Sequence, residues 1–136
     1  MDNLIFIWIP KCAGTSFFRS MQTKYKNFKL DIESHSKMSF GTHGHVKINH
    51  IYSKQELSRF RIIAISRNPY SRALSLYFYL KKLNIHNCNN FYDFYLHIYN
   101  SNIPAVGKYN RMGLSQCNPQ YDWIDGIENV EVFKLE

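Results

Sequence analysis

Two short stretches of this chain gather the residue types that bind anions. In Pro10-Lys11-Cys12-Ala13-Gly14-Thr15-Ser16, a lysine precedes a glycine and two hydroxyl side chains. In Ser66-Arg67-Asn68-Pro69-Tyr70-Ser71-Arg72-Ala73-Leu74-Ser75, an arginine opens a segment that also carries Ser75. Arginine can grip phosphate oxygens bidentately and lysine acts as a point charge, while hydroxyls and backbone N–H groups supply further donors. A third stretch, Thr42-His43-Gly44-His45-Val46, sets two histidines at alternate positions. In extended chain both face the same side. With an ordinary pKa of about 6.5, histidine suits the removal of a proton from a hydroxyl near neutrality. His45 is the first choice for that base, with His43 positioning it or touching the molecule that loses the proton.

These residues need elements to hold them. Leu4 to Ile9 is a short, unbroken apolar run, the pattern of a strand buried on both faces. Thr15 to about Tyr25 reads as a helix with Phe17, Phe18 and Met21 on its apolar stripe. The start of such a helix offers unpaired N–H groups and the positive end of the dipole to an anion in the preceding loop. No G-x-x-x-x-G-K-[ST] occurs, and here the lysine comes before the glycine, so this is not the common nucleoside-triphosphate loop.

Arg61 to Ser66, "RIIAIS", is a second buried-strand candidate, and the helix after it has Pro69 near its first turn, where a missing N–H does no harm. Leu74, Tyr77 and Phe78 are spaced as the buried face of that helix. Phe91, Phe94 and Ile98 are spaced likewise in a helix from Phe91 to about Tyr99 that Asn90 would cap. Ser53-Lys54-Gln55-Glu56 has the capping-box pattern and predicts a short helix to Phe60. "VEVFKL" near Glu136 reads as a third strand, Asn27 to His50 is polar and irregular, and Ser101 to Asn118 reads as loop. Strands separated by helices imply an α/β fold, a central parallel sheet flanked by helices, in a single domain over residues 1–136. Both basic loops leave the carboxyl ends of strands, where open parallel sheets hold their ligands.

The bulk properties agree with an anionic ligand. The chain has 136 residues and a net charge of +7, and at 45% hydrophobic and 16% aromatic it can bury a real core. Its basic residues are dispersed and no nucleic-acid motif is present, so nucleic acid is not the expected partner. The three cysteines lack metal spacing and read as free thiols in a reducing compartment. With no signal peptide and no apolar run near the ~20 residues of a membrane span, a cytoplasmic location is expected. The histidine pair, even with His50 and Cys12, offers no fixed metal spacing, and no metal is expected.

Taken together, the two basic loops resemble those of the sulfotransferases that use 3′-phosphoadenosine 5′-phosphosulfate (PAPS). "IPKCAGTSF" is similar to the family's 5′-phosphosulfate loop, and "SRNPYSRALS" to its 3′-phosphate motif R-[DN]-P-x-x-R-x-x-S. "THGHVKI" is similar to the His-Gly-His-Val segment of uronyl (heparan-sulfate-type) 2-O-sulfotransferases, in which the histidines serve catalysis. "NPQYDWIDGIENVEVFKLE" resembles the later P-Q-x-x-[WY]-[IL] segment and a strand ending in F-x-x-E, whereas Asn84 to Asn118 match poorly.

The resemblance implies a P-loop-like fold, short at its carboxyl end, with PAPS as cosubstrate and no metal. It puts the phosphosulfate on the loop of Lys11, Cys12, Ala13, Gly14, Thr15 and Ser16, and the 3′-phosphate on Arg67 and Ser75. Many relatives carry threonine where Cys12 stands. It implies His45, His43 and Lys11 as catalytic residues and a hydroxyl-bearing acceptor, a glycan foremost. Two alternatives remain at this stage: a truncated or inactive domain that only binds PAP or PAPS, and another P-loop-like nucleotide-binding enzyme.

Overall fold

In the computed structural model, which describes residues 3–99 and 114–136, the apolar run forms β1 (Leu4–Ile7), buried throughout. Its burial follows from its neighbours. β1 pairs in parallel with β3 (Phe40–Thr42) on one side and with β4 (Arg61–Ser66) on the other, so both its edges and both its faces are covered. β2 (Lys29–Leu30) extends the sheet beyond β3, and β5 (Val130–Lys134) extends it beyond β4, giving the all-parallel order β2-β3-β1-β4-β5.

Alternation along the strands divides the core. Ile5, Ile7, Ile62 and Ala64 point to the face packed by Tyr52, Leu57 and Trp123. Leu4, Phe6 and Ile63 point to the opposite face, where Phe17, Phe18 and Phe28 meet them in an aromatic cluster. Phe6 and Phe17 stack at 4.1 Å between ring centroids. That cluster anchors α1 (Gly14–Lys24) directly behind the loop that leaves β1.

The expected α/β architecture is the one found, with differences of detail. β1 ends at Ile7, where the Ile9 amide turns back to the Ile7 carbonyl at 3.2 Å and the chain leaves the sheet. The irregular stretch Asn27–His50 contains β2 and β3, of 2 and 3 residues, too short to display any periodicity. α2 (Lys54–Leu57) has the predicted capping box but stops before Phe60. α3 (Pro69–Lys82) buries Arg72, Leu76, Tyr77 and Leu80, leaving Leu74 and Phe78 exposed, contrary to expectation. Tyr77 and Leu80 pack instead on Phe94 of α4 (Phe91–Tyr99). The Ile98 side chain and residues 101–113 of the expected loop lie outside what is described. Among the described residues, no helix is long and apolar enough to cross a membrane.

Candidate functional site

A cleft of about 460 Å³ opens at the carboxyl edge of the sheet. Its lining comes from the end of β2 and the segment after it (Leu30, Ile32), after β3 (Gly44, His45), after β1 (Trp8, Lys11 and Ala13–Ser16), from the β4–α3 region (Arg67, Ser75, Tyr79), and from Gln116. β1 is the point at which the chain, having built β2 and β3 on one side, crosses to β4 on the other. That reversal opens a crevice between diverging loops.

The loop after β1 is tightly bent. Lys11 and Ala13 both adopt the left-handed conformation, with φ of 63° and 61°. Non-glycine residues pay about 1–2 kcal/mol for it, and such strain gathers at functional loops. Gly14 serves a different purpose from the one its neighbours suggest. A Cβ there would fall 1.9 Å from the Trp8 indole nitrogen, so the glycine makes room for that ring. Among the described residues, no side chain caps the start of α1, so its first amides, together with the exposed Thr15 and Ser16, remain as donors for a ligand. The Lys11 ammonium lies over the Tyr79 ring, 4.4 Å from its centroid. Cys12, expected with the anion-binding residues, turns its side chain inward. Its thiol is buried, lies 3.2 Å from the Gln120 side-chain oxygen, and has its pKa pushed up by burial.

Arg67 follows β4, and its peptide is gripped at both ends by one side chain. The Gln120 Oε1 accepts from the Arg67 amide at 2.8 Å, and the Gln120 Nε2 donates to the Arg67 carbonyl at 2.7 Å. The Arg67 guanidinium donates to the Lys11 carbonyl at 3.3 Å and pairs with Glu136 at 3.2 Å. Arg67 thus ties the two basic loops together. Ser75, one face of α3 further on, lines the same cleft.

The second arginine of that segment, Arg72, is buried and acts as a clamp. It donates to the carbonyls of Pro10 at 2.9 Å, Asn118 at 3.0 Å and Gln116 at 2.8 Å. Burial pulls its pKa down, yet three carbonyls accept one bond each from Nε and the two terminal nitrogens in a fixed fork. Sequence reasoning had no role for Arg72 or Gln120. The signal was present in the Pro119-Gln120 pair and the repeated arginine, but what each would grip depends on contacts between distant segments.

The histidines separate. His45 lines the cleft, and its Nδ1 lies 2.9 Å from the Trp8 carbonyl oxygen. His43 is 1% exposed and is not a lining residue. Its Nδ1 is 3.4 Å from an Asp31 oxygen and its Nε2 is 2.7 Å from the Tyr52 hydroxyl. Burial is the main influence on its pKa and lowers it, against the opposing pull of Asp31. The expectation that both would face one reactant gives way here, because the chain leaves β3 at Thr42 and Gly44 turns at φ 68° between them.

A profile described as the sulfotransferase family matches residues 1–123. The chain belongs to the sulfotransferase family. No curated protein sequence matches it. Among solved structures it is similar to the crystal structure of a sulfotransferase from Alicyclobacillus acidocaldarius, at 15% identity and a TM-score of 0.58. That match covers 98% of this chain and 73% of the other, and it bears on the fold. As a sulfotransferase, the protein is an enzyme that moves a sulfuryl group. Such a transfer asks for donors and cations where the leaving group gains charge, and for a base beside the attacking oxygen. The cleft brings Lys11, Ala13, Gly14, Thr15, Ser16, Arg67, Ser75 and His45 to one place, and it leaves His43 and the Cys12 side chain out of the lining.

Proposed function

We propose that this sulfotransferase, acting as one domain, transfers the sulfuryl group of PAPS to a hydroxyl of a saccharide, with His45 as the base. The observation that carries this reading is the convergence, on one cleft, of two cationic loops and a histidine from three separate segments. The donor set suits PAPS, which has two anionic ends. Lys11, the amides opening α1, Thr15 and Ser16 would hold the phosphosulfate, and Arg67 and Ser75 would hold the 3′-phosphate. When bound, PAPS supplies the activated sulfuryl group.

His45 takes the hydroxyl proton at Nε2 as the acceptor oxygen bonds to sulfur. Lys11 and the positive end of α1 receive the charge that develops on the departing phosphate oxygen, in positions already set by the fold. The saccharide acceptor is supported by the similarity of Thr42–Ile48 to the uronyl 2-O-sulfotransferase segment. His43 acts at one remove, joining the end of β3 to Asp31 beyond β2.

The test is calorimetric titration with the product nucleotide PAP, with AMP as control. PAP should bind at least about tenfold more tightly, because only its 3′-phosphate can engage Arg67 and Ser75. Equal affinities would overturn the assignment. Tight PAP binding without turnover on any hydroxyl would leave a nucleotide-binding domain alone.

A further inference from the structure

The lining of the cleft changes character along the sheet edge. On the β1–β4 side stand the cations Lys11 and Arg67, and Lys11 is turned toward Tyr79 of α3. On the β3–β2 side, the described lining residues are Leu30, Ile32, Gly44 and His45, of which only His45 is ionisable, and Trp8, directly after β1, stands against His45 at the boundary. Lys26, Lys29 and Lys37 belong to a second groove that shares only Leu30 with the cleft, and Lys37 is paired with Glu56 at 2.7 Å.

Trp8 is held as a fixed plane at the edge of that uncharged end. Its indole rests on Gly14, where even a methyl group would not fit. Phe18 stacks on it at 6.1 Å, and His45 meets it edge-on at 5.6 Å between centroids. Its own carbonyl orients the His45 ring. Trp8 stays partly exposed, and it reaches the cleft beside the nitrogen base.

We propose that Trp8 is the acceptor platform. An uncharged ring lays an apolar face on the indole, with Leu30 and Ile32 at its far side, and presents its hydroxyl to His45. This rests on the sulfuryl-transfer reading above and narrows its substrate. A rigid indole supplies a large contact area with little entropy to lose, and an apolar ring face gains by leaving water there. A carboxylate on the same ring would be partly desolvated against Trp8 and Leu30, with no cation among the described residues lining that end. A neutral pyranose and a phenol share the required chemistry and a uronate does not, so the likeness of Thr42–Ile48 to the uronyl segment extends to the histidine base and not to the charge of the sugar.

The chain contains two tryptophans, and Trp123 is fully buried but packs on His45 at 6.3 Å between centroids, so the emission change assigned to Trp8 is the part that a Trp8→Phe protein loses. The full chain, loaded with PAP, is titrated with lactose, a simple phenol and a digalacturonate, in which every ring is a uronate, and transfer from labelled PAPS to each is measured. Lactose or the phenol should perturb the emission and accept sulfate, and the uronate should do neither. Acceptance of the phenol alone would uphold the platform and overturn the saccharide. Trp8→Ala should raise the acceptor KM about tenfold and leave PAP affinity within about twofold, and Trp8→Phe should restore most of the loss. Preference for the uronate, or an unchanged acceptor KM in a Trp8→Ala protein that binds PAP normally, overturns the platform alone. If the unmodified chain fails to bind PAP, the sulfuryl-transfer reading falls and the platform with it.

Discussion

The Nδ1 of His45 lies 2.9 Å from the carbonyl oxygen of Trp8. A carbonyl only accepts, so Nδ1 carries the proton, and in the neutral ring Nε2 is then the basic nitrogen. The residue that follows β1 therefore fixes the tautomer of a histidine that follows β3. This is the logic by which a base is oriented by a third group, here a backbone atom that no side-chain substitution removes.

His45→Ala should lower turnover by about 10²–10⁴-fold, the usual worth of a positioned base, with PAP affinity nearly unchanged because no anion contact is lost. The rate of the unmodified enzyme should fall on acidification, since a doubly protonated ring cannot accept the hydroxyl proton. Single-turnover rates across pH, alongside calorimetry with PAP, decide it. Unimpaired turnover in the variant would remove His45 from the mechanism.

Lys11 is expected to act on the departing charge more than on the bound nucleotide. Lys11→Ala should therefore reduce kcat by a larger factor than it weakens PAP. Its φ of 63° adds a control. Lys11→Gly removes the same charge while relieving the backbone strain, and it should match the alanine variant in rate. A defect confined to KM would make Lys11 a binding residue only.

Arg67→Ala should erase most of the preference for PAP over AMP, a loss of about tenfold or more from one charge-assisted contact. Gln120 offers a subtler test, because among the described residues its side-chain hydrogen bonds go to the Arg67 peptide and the Cys12 thiol. Gln120→Glu keeps the acceptor for the Arg67 amide but forfeits the donor to its carbonyl. It should weaken PAP several-fold while leaving AMP nearly unaffected. Equal losses for both nucleotides would mean that Gln120 supports the fold and not the position of Arg67.

How legible these residues were depended on how local their causes are. β4 and the start of α3 were readable because an unbroken apolar run and an Asn-Pro cap act within a few residues; the Asn68 side chain accepts from the amides of Tyr70 and Ser71 at 2.9 and 3.2 Å. The strand-to-helix turn at Pro10–Ser16 was readable for the same reason. Leu74 and Phe78 were misassigned because helical spacing defines a stripe without saying which stripe meets the sheet. The Arg72 contacts to Pro10, Gln116 and Asn118 helped decide that, and they span three segments. β2 and β3 were invisible because pairing, of β3 with β1 and of β2 with β3, and not their own pattern, makes them strands. His43 shared every sequence credential with His45. Only a tyrosine nine residues on and an aspartate twelve residues back, brought together by the fold, set it apart.

The pair His43–Asp31 makes the β3–β2 end of the cleft sensitive to acid. Burial lowers the His43 pKa, with the Asp31 hydrogen bond and charge opposing and the nearby His35 adding to the fall. The folded state thus resists a proton that the unfolded chain accepts below about pH 6.5, so stability declines as the pH drops from there toward the depressed folded value. Asp31 follows at lower pH. Burial works to raise its pKa, but hydrogen bonds from the Ser34 amide and hydroxyl, the Glu33 amide and His43 bring it down to about 2. Its contribution is full above the ordinary carboxylate value and is lost as the pH falls through about 2. Because Asp31 also shapes the turn that carries Ile32, acid should loosen the far wall of the cleft before the loops that follow β1 and β4. Thermal unfolding measured from pH 8 to pH 4 should show a near-constant Tm above pH 7 and a decline below about 6.5. His43→Gln should remove the upper part of that decline, at the cost of a lower Tm throughout. A variant whose Tm keeps the same slope between pH 6.5 and 5 would show that the acid sensitivity arises elsewhere.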